Sequence, residues 1–168
     1  SLGKIGRVSE KIEMINSLSI LIPTYNNVCF ELVKTLQAQA ALLSDFEYEI
    51  LVADDGSTDL STITANRKIN EIENCRYIER EKNVGRSAIR NFLAKEAKYE
   101  WLLFIDSNMN VINKQYLANY QYSKECDVIY GGYQVKRNQE NLRYNLRYIF
   151  ECKGTQNGDY RQRQKNPY

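Results

Sequence analysis

The chain has 168 residues, 43% of them hydrophobic and 26% charged, which is enough for one soluble domain with a core of its own. Its 23 basic and 21 acidic residues nearly balance, and no apolar run approaches the roughly 20 residues a bilayer span requires, Trp101–Ile105 being about the longest. There is no histidine, which excludes His-dependent nucleophilic catalysis and His-ligated metals, and the four cysteines lie far apart without a C-x-x-C pair, which argues against a zinc or disulfide framework and for a reducing, cytoplasmic setting.

In chain order, Ile5, Val8, Ile12 and Ile15 recur at helical spacing and predict an N-terminal helix within residues 1–17. "LSILIP", Leu18 to Pro23, is a β-branched-rich run stopped by proline and reads as a buried strand. Cys29, Val33, Leu36, Ala40 and Leu43 line one face of a helix. "YEILVA" is a second strand, followed by several N-cap candidates between Asp55 and Asp59 for a helix carrying Leu60 and Ile63. "CRYIER" is short and charged, as an edge strand should be. Ala88, Phe92 and Leu93 give the next helix a buried stripe, "WLLFID" a fourth strand and "DVIYGG" a fifth. Leu142, Leu146, Ile149 and Phe150 are spaced for a last helix.

Strands that alternate with helices and are apolar on both faces predict an α/β fold, a mostly parallel sheet covered by helices on both sides. Ligands of such sheets bind beyond the carboxyl ends of the strands. The polar residues gather there: Thr24-Tyr25-Asn26 after the first strand, Asp54-Asp55 after the second, Asp106-Ser107-Asn108 after the fourth. One crevice is therefore expected. No G-x-G-x-x-G or P-loop pattern is present to cradle phosphates, so a bound nucleotide would have its charge met by another route, such as Mg2+ or Mn2+ held by a strand-end carboxylate. A different carboxylate can accept from the ring N–H of a base. The plainer alternative for Asp54 and Asp55 is helix capping. The basic surplus from Lys136 onward lacks the aromatic interleaving of a single-strand binder, and no nucleic-acid partner is expected.

"LSILIPTYNN", "ILVADDGSTD", "EKNVGRSAIRN" and "WLLFIDSNMNV", in this order and at these separations, resemble the nucleotide-sugar-binding half of family 2 glycosyltransferases, from about Leu18 to the end of the chain. The resemblance implies a GT-A fold and transfer of a sugar from a nucleotide-sugar, often a UDP-sugar, to a hydroxyl with inversion. It implies that Pro23, Thr24 and Tyr25 line the base, that Asp55 reads it, and that Asp54 braces the loop. Gly85 and Arg86 would lie beside the base, and Arg90 would offset the charge of the two aspartates. Asp106 takes the first place of the family's D-x-D element, with Asn108 in the third, where a metal ligand is implied. The domains implied are 18–135 for nucleotide-sugar binding and 136–168 for the start of an acceptor-side segment.

Two departures accompany the resemblance. Asn108 is a neutral amide where the family's main metal carboxylate stands, so Mn2+ or Mg2+ binding is expected to be weakened. The family's general base follows residues like "RQRQKNPY", so the catalytic base is expected beyond residue 168, with the acceptor (glycan, lipid-linked or protein) left open. Two other classes fit less of the pattern. One is a non-catalytic nucleotide- or sugar-binding module of the same fold. The other is a receiver-like phosphoacceptor domain, whose acidic pair follows the first strand rather than the second.

Overall fold

The computed structural model describes residues 14–121. Four strands form one parallel sheet in the order β3-β2-β1-β4. They are β1 (Ser17–Thr24), β2 (Glu47–Asp54), β3 (Cys75–Glu79) and β4 (Leu102–Phe104), connected through α1 (Phe30–Ala41), α2 (Leu60–Arg67) and α3 (Arg86–Glu96), with α4 (Tyr116–Tyr120) after β4. The α/β class read from the sequence is the one observed.

Alternation along the strands decides which helix covers which face. Leu18, Ile20 and Ile22 of β1 and Tyr48, Ile50 and Val52 of β2 pack with Val33, Leu36 and Ala40 of α1. Leu21, Leu51 and Ala53 point to the opposite face and pack under Ile89 and Leu93 of α3. Both faces are thus covered, which is why β1 and β2 read as continuous apolar runs.

Several expectations shift. Residues 14–17 are extended rather than helical; Ile15 is buried and its N–H donates to the Gln121 carbonyl at 2.8 Å. The rest of the N-terminal helix, the fifth strand, the last helix and the boundary at residue 135 lie outside the described residues. In α3 the buried pair is Ile89 and Leu93, an i, i+4 pair on the sheet-facing side, with Phe92 packed beside them; of the expected stripe only Ala88 is exposed. Leu60 of α2 is 76% exposed; the inward residues of that helix are Thr62 and Asn66. Asn66 faces inward there because it is hydrogen-bonded to the chain between β1 and α1, and the Thr62 hydroxyl donates to the cap residue Asp59. β3 lies at an edge, as its charges predict. Among the described residues no helix is long and apolar enough to cross a membrane.

Candidate functional site: the carboxyl ends of the strands

The parallel register brings Thr24 beside Asp54, and Asp54 beside Glu79, at one end of the sheet. The Asp55 N–H donates to the Thr24 carbonyl at 2.8 Å, so the two loops leave the sheet joined. β4 pairs β1 through Leu21↔Phe104, and the Ile105 N–H donates to the Leu21 carbonyl at 3.0 Å. Asp106 follows one residue later. The three polar clusters read from the sequence therefore share one end of the sheet.

Asp54 and Asp55 have different surroundings. Asp54 is 2% exposed; one carboxylate oxygen accepts from the Ser57 N–H at 2.7 Å and the other from the Tyr77 hydroxyl. Burial together with that bond to Asp54 pushes the Tyr77 hydroxyl above the ordinary phenol range. Burial and the nearby Asp54 charge also push the Cys29 thiol up to about 12. Asp54 is committed to the interior on both oxygens.

Asp55 is 5% exposed and grips a different loop. Its two oxygens accept from the backbone N–H groups of Val84 at 2.9 Å and Gly85 at 3.0 Å. Gly56, at φ +74°, lets that loop come close: a Cβ there would sit 2.6 Å from the Asn83 nitrogen and 2.7 Å from the Lys82 carbonyl carbon. Gly85, at φ +89°, precedes α3 in open space. A carboxylate has about four lone-pair directions, so each Asp55 oxygen keeps one acceptor site beyond the bond it makes. The capping alternative falls to another residue: Asp59 caps α2, accepting from the Ser61 N–H at 3.0 Å and the Thr62 hydroxyl at 2.7 Å. Those bonds hold the Asp59 carboxyl below its ordinary range.

The other sequence candidates divide. Pro23 is half-buried and Tyr25 is exposed, with its ring open to solvent. Thr24 is buried, and its hydroxyl donates to the Asn27 carbonyl at 2.9 Å, so it closes a turn. Arg86 is exposed on the first turn of α3. Arg90 does not pair with Asp54 or Asp55. Its Nη2 donates to Asp106 Oδ1 at 2.6 Å, joining α3 to the loop after β4. The carboxylates it was expected to offset already hold backbone and tyrosine donors.

Sequence reasoning missed the residues that fix these loops. Asn66 is fully buried in α2; its Oδ1 accepts from the Cys29 N–H and its Nδ2 donates to the Asn27 carbonyl, both at 2.9 Å. Asn26, at φ +47°, accepts through Oδ1 from the N–H groups of Thr58 and Asp59. Asn27 Nδ2 donates to the Ser107 hydroxyl at 3.1 Å, tying the loop after β1 to the loop after β4. The one available signal was Tyr77, a residue with an apolar body and a polar tip next to Arg76 in the short strand β3. Beside Asn27 and Glu31, a groove of about 400 Å3 opens between the start of α1 and Ser107–Asn110.

The D-x-D-like element carries one carboxylate, Asp106, already engaged by a guanidinium, and one neutral amide, Asn108. Among the described residues no three His, Cys, Asp or Glu side chains gather around a common point. Mg2+ and Mn2+ favour hard oxygen ligands, with one or two carboxylates free to meet the ion. The described residues do not fit a resident ion.

Comparison with known proteins gives four findings. The sequence profile of "Glycosyl transferase family 2" matches residues 19–167. A poly(ribitol-phosphate) beta-glucosyltransferase of Bacillus spizizenii is 39% identical over 111 residues, which is 64% of this chain and 17% of that protein. Among solved structures, S. aureus TarS 1–349 in complex with UDP-GlcNAc superposes with a TM-score of 0.50 at 32% identity, over 61% of this chain and 29% of that one. The mannosyltransferase PcManGT of Pyrobaculum calidifontis, in complex with GDP-Man and Mn2+, shares the fold with a TM-score of 0.55 at 21% identity, over 76% of this chain and 37% of that one. The chain thus spans well under half of each of these three proteins.

Proposed function

The chain belongs to glycosyl transferase family 2, and we propose that it is the donor-binding part of an enzyme that moves a hexose-type sugar from a UDP-sugar to a hydroxyl with inversion. The observation that carries the reading is Asp55: a buried carboxylate, oriented by two backbone N–H groups, with unused acceptor directions at the mouth of the crevice. A group so held is aimed before any ligand arrives. It suits a base that presents a ring N–H, as uracil does. Tyr25, exposed at the end of β1, supplies a face for stacking, and Pro23 and the Gly85-Arg86 backbone flank it. Asp54, spent on Ser57 and Tyr77, serves as the brace.

Two similarities support the finer parts of the reading. TarS binds UDP-GlcNAc, and the named relatives act on poly(ribitol-phosphate), so a UDP-hexose donor and a polyol-phosphate or glycan acceptor are proposed. The β linkage in the relatives' names, set against the α linkage of common sugar nucleotides, supports inversion. Inverting transfer requires a base on the acceptor side to take the hydroxyl proton. We assign the described residues to the donor and place that base outside them.

Calorimetric titration with UDP, CDP and GDP tests the reading. UDP is expected to bind most tightly, and Asp55→Asn to narrow the preference for UDP over CDP. Absence of binding by every nucleoside diphosphate would refute it, as would a preference unaffected by Asp55→Asn.

A further inference from the structure

We propose that Arg90 does at this crevice the work of a divalent ion, so that the diphosphate of the donor binds to a guanidinium and needs no metal. The inference rests on the donor reading above and extends it to the phosphate subsite. Three observations converge on it. Asn108 removes a negative charge from the place where a metal would find its second carboxylate. Arg90 holds the remaining carboxylate, Asp106, at 2.6 Å, so Asp106, Asn108 and Arg90 together carry no net charge. A dication approaching these three side chains meets no net attraction, and the one carboxylate among them is shared with a fixed cation.

The third observation is what the ion pair leaves open. The Arg90 and Asp106 side chains are 39% and 51% exposed, so a ligand in the crevice can reach both. A guanidinium carries five N–H donors in a planar fork suited to phosphate oxygens. The bond to Asp106 Oδ1 uses one of its nitrogens, Nη2. Asp106 therefore acts as the orienting group, fixing the long Arg90 side chain toward the loop after β4, and among the described residues the rest of the fork makes no other bond. Arg86 lies four residues earlier on α3, on the same side of the helix and one turn nearer Gly85. Two cations one turn apart on one helix face match the two linked phosphates of a nucleoside diphosphate.

The test is titration of the protein with UDP and with uridine, each in EDTA and in Mn2+, for wild type, Arg90→Gln and Asn108→Asp. The wild type is expected to bind UDP equally well in EDTA and in Mn2+. Arg90→Gln should weaken UDP by about 10- to 100-fold, the range for losing a charge-assisted hydrogen bond, and leave uridine unchanged. Asn108→Asp, a change on an exposed loop, should make UDP binding respond to Mn2+ by restoring the second carboxylate. If wild-type UDP binding requires Mn2+, the inference is overturned and the donor reading stands. An equal loss of UDP and uridine in Arg90→Gln would also overturn it, because the arginine would then act on the fold and not on the phosphates. Failure of UDP to bind under any condition would refute both readings.

Discussion

Replacing Tyr77 with phenylalanine isolates the brace beneath the crevice. The ring stays and fills the same space, and only the hydroxyl that donates to Asp54 is lost. Asp54 is 2% exposed, so water cannot take the vacated place, and its carboxylate is left with the Ser57 N–H alone. A hydrogen bond to a charged group contributes about 1.5–3 kcal/mol, so a loss of about 2 kcal/mol is expected. For a chain of this length each kcal/mol shifts Tm by roughly 2–4 °C, giving a fall of roughly 4–8 °C. Tyr48→Phe is the control. It is also a buried strand tyrosine, but its hydroxyl only accepts from Gln37 Nε2 at 3.3 Å, a long bond between neutral groups, and about 0.5 kcal/mol is expected. Thermal unfolding of the three proteins, followed by far-UV circular dichroism, makes the comparison. If Tyr77→Phe melts with the wild type, or if the two variants fall equally, the argument that Asp54 depends on Tyr77 is wrong.

Two further outcomes follow from the same geometry. Gly56→Ala should cost about 3 kcal/mol, combining a left-handed backbone with a Cβ driven into the Lys82–Asn83 backbone, and should weaken UDP binding by displacing the loop that Asp55 holds. Gly85→Ala meets open space and should cost only the backbone strain, about 1–3 kcal/mol; thermal melts and UDP titrations of both variants check this. Burial pushes the Cys29 and Cys75 thiols up to about 12 from an ordinary 9.0, and Tyr77 and Tyr116 are raised as well. The native state then holds protons that the unfolded chain releases. Stability is full below pH 9.0 and declines as the pH rises toward about 12, which urea midpoints measured across that window would show.

What was legible in the sequence follows from the range of the interactions. β1 and β2 are apolar on both faces, so their runs announced a sheet covered on both sides, and a parallel sheet in turn places ligands at the strand ends. The separate environments of Asp54 and Asp55 came from elsewhere in the chain. Tyr77 is 23 residues from Asp54, Val84 is 29 from Asp55, and Asn66 is 37 from Cys29. Local periodicity holds no information about partners at such distances. Arg90 illustrates the same limit: it stands in the stretch expected near the aspartate pair, yet its carboxylate is 16 residues later, across the sheet end. In the stripe of α3, Leu93 is buried and Phe92 packs beside it as expected, and the one error is a shift of one residue, Ile89 being buried in place of Ala88. α2 and its cap stand where the sequence put them, but its inward face is built for hydrogen bonds, so its apolar residues gave no guide to which side packs.

The two sides of the sheet differ in what they offer another strand. On the β3 side, Arg76 is tied to Glu96 at 3.1 Å and Glu79 to Arg67 at 2.7 Å, so an incoming strand would have to shed water from two ion pairs. On the β4 side, among the described residues, Leu102 and Phe104 present apolar side chains to solvent. Among the described residues the two edges therefore differ in the barrier they set against an added strand. Self-association through β3 is discouraged, whereas among the described residues the strand β4, next to the loop that carries Asp106, carries no such ion pair.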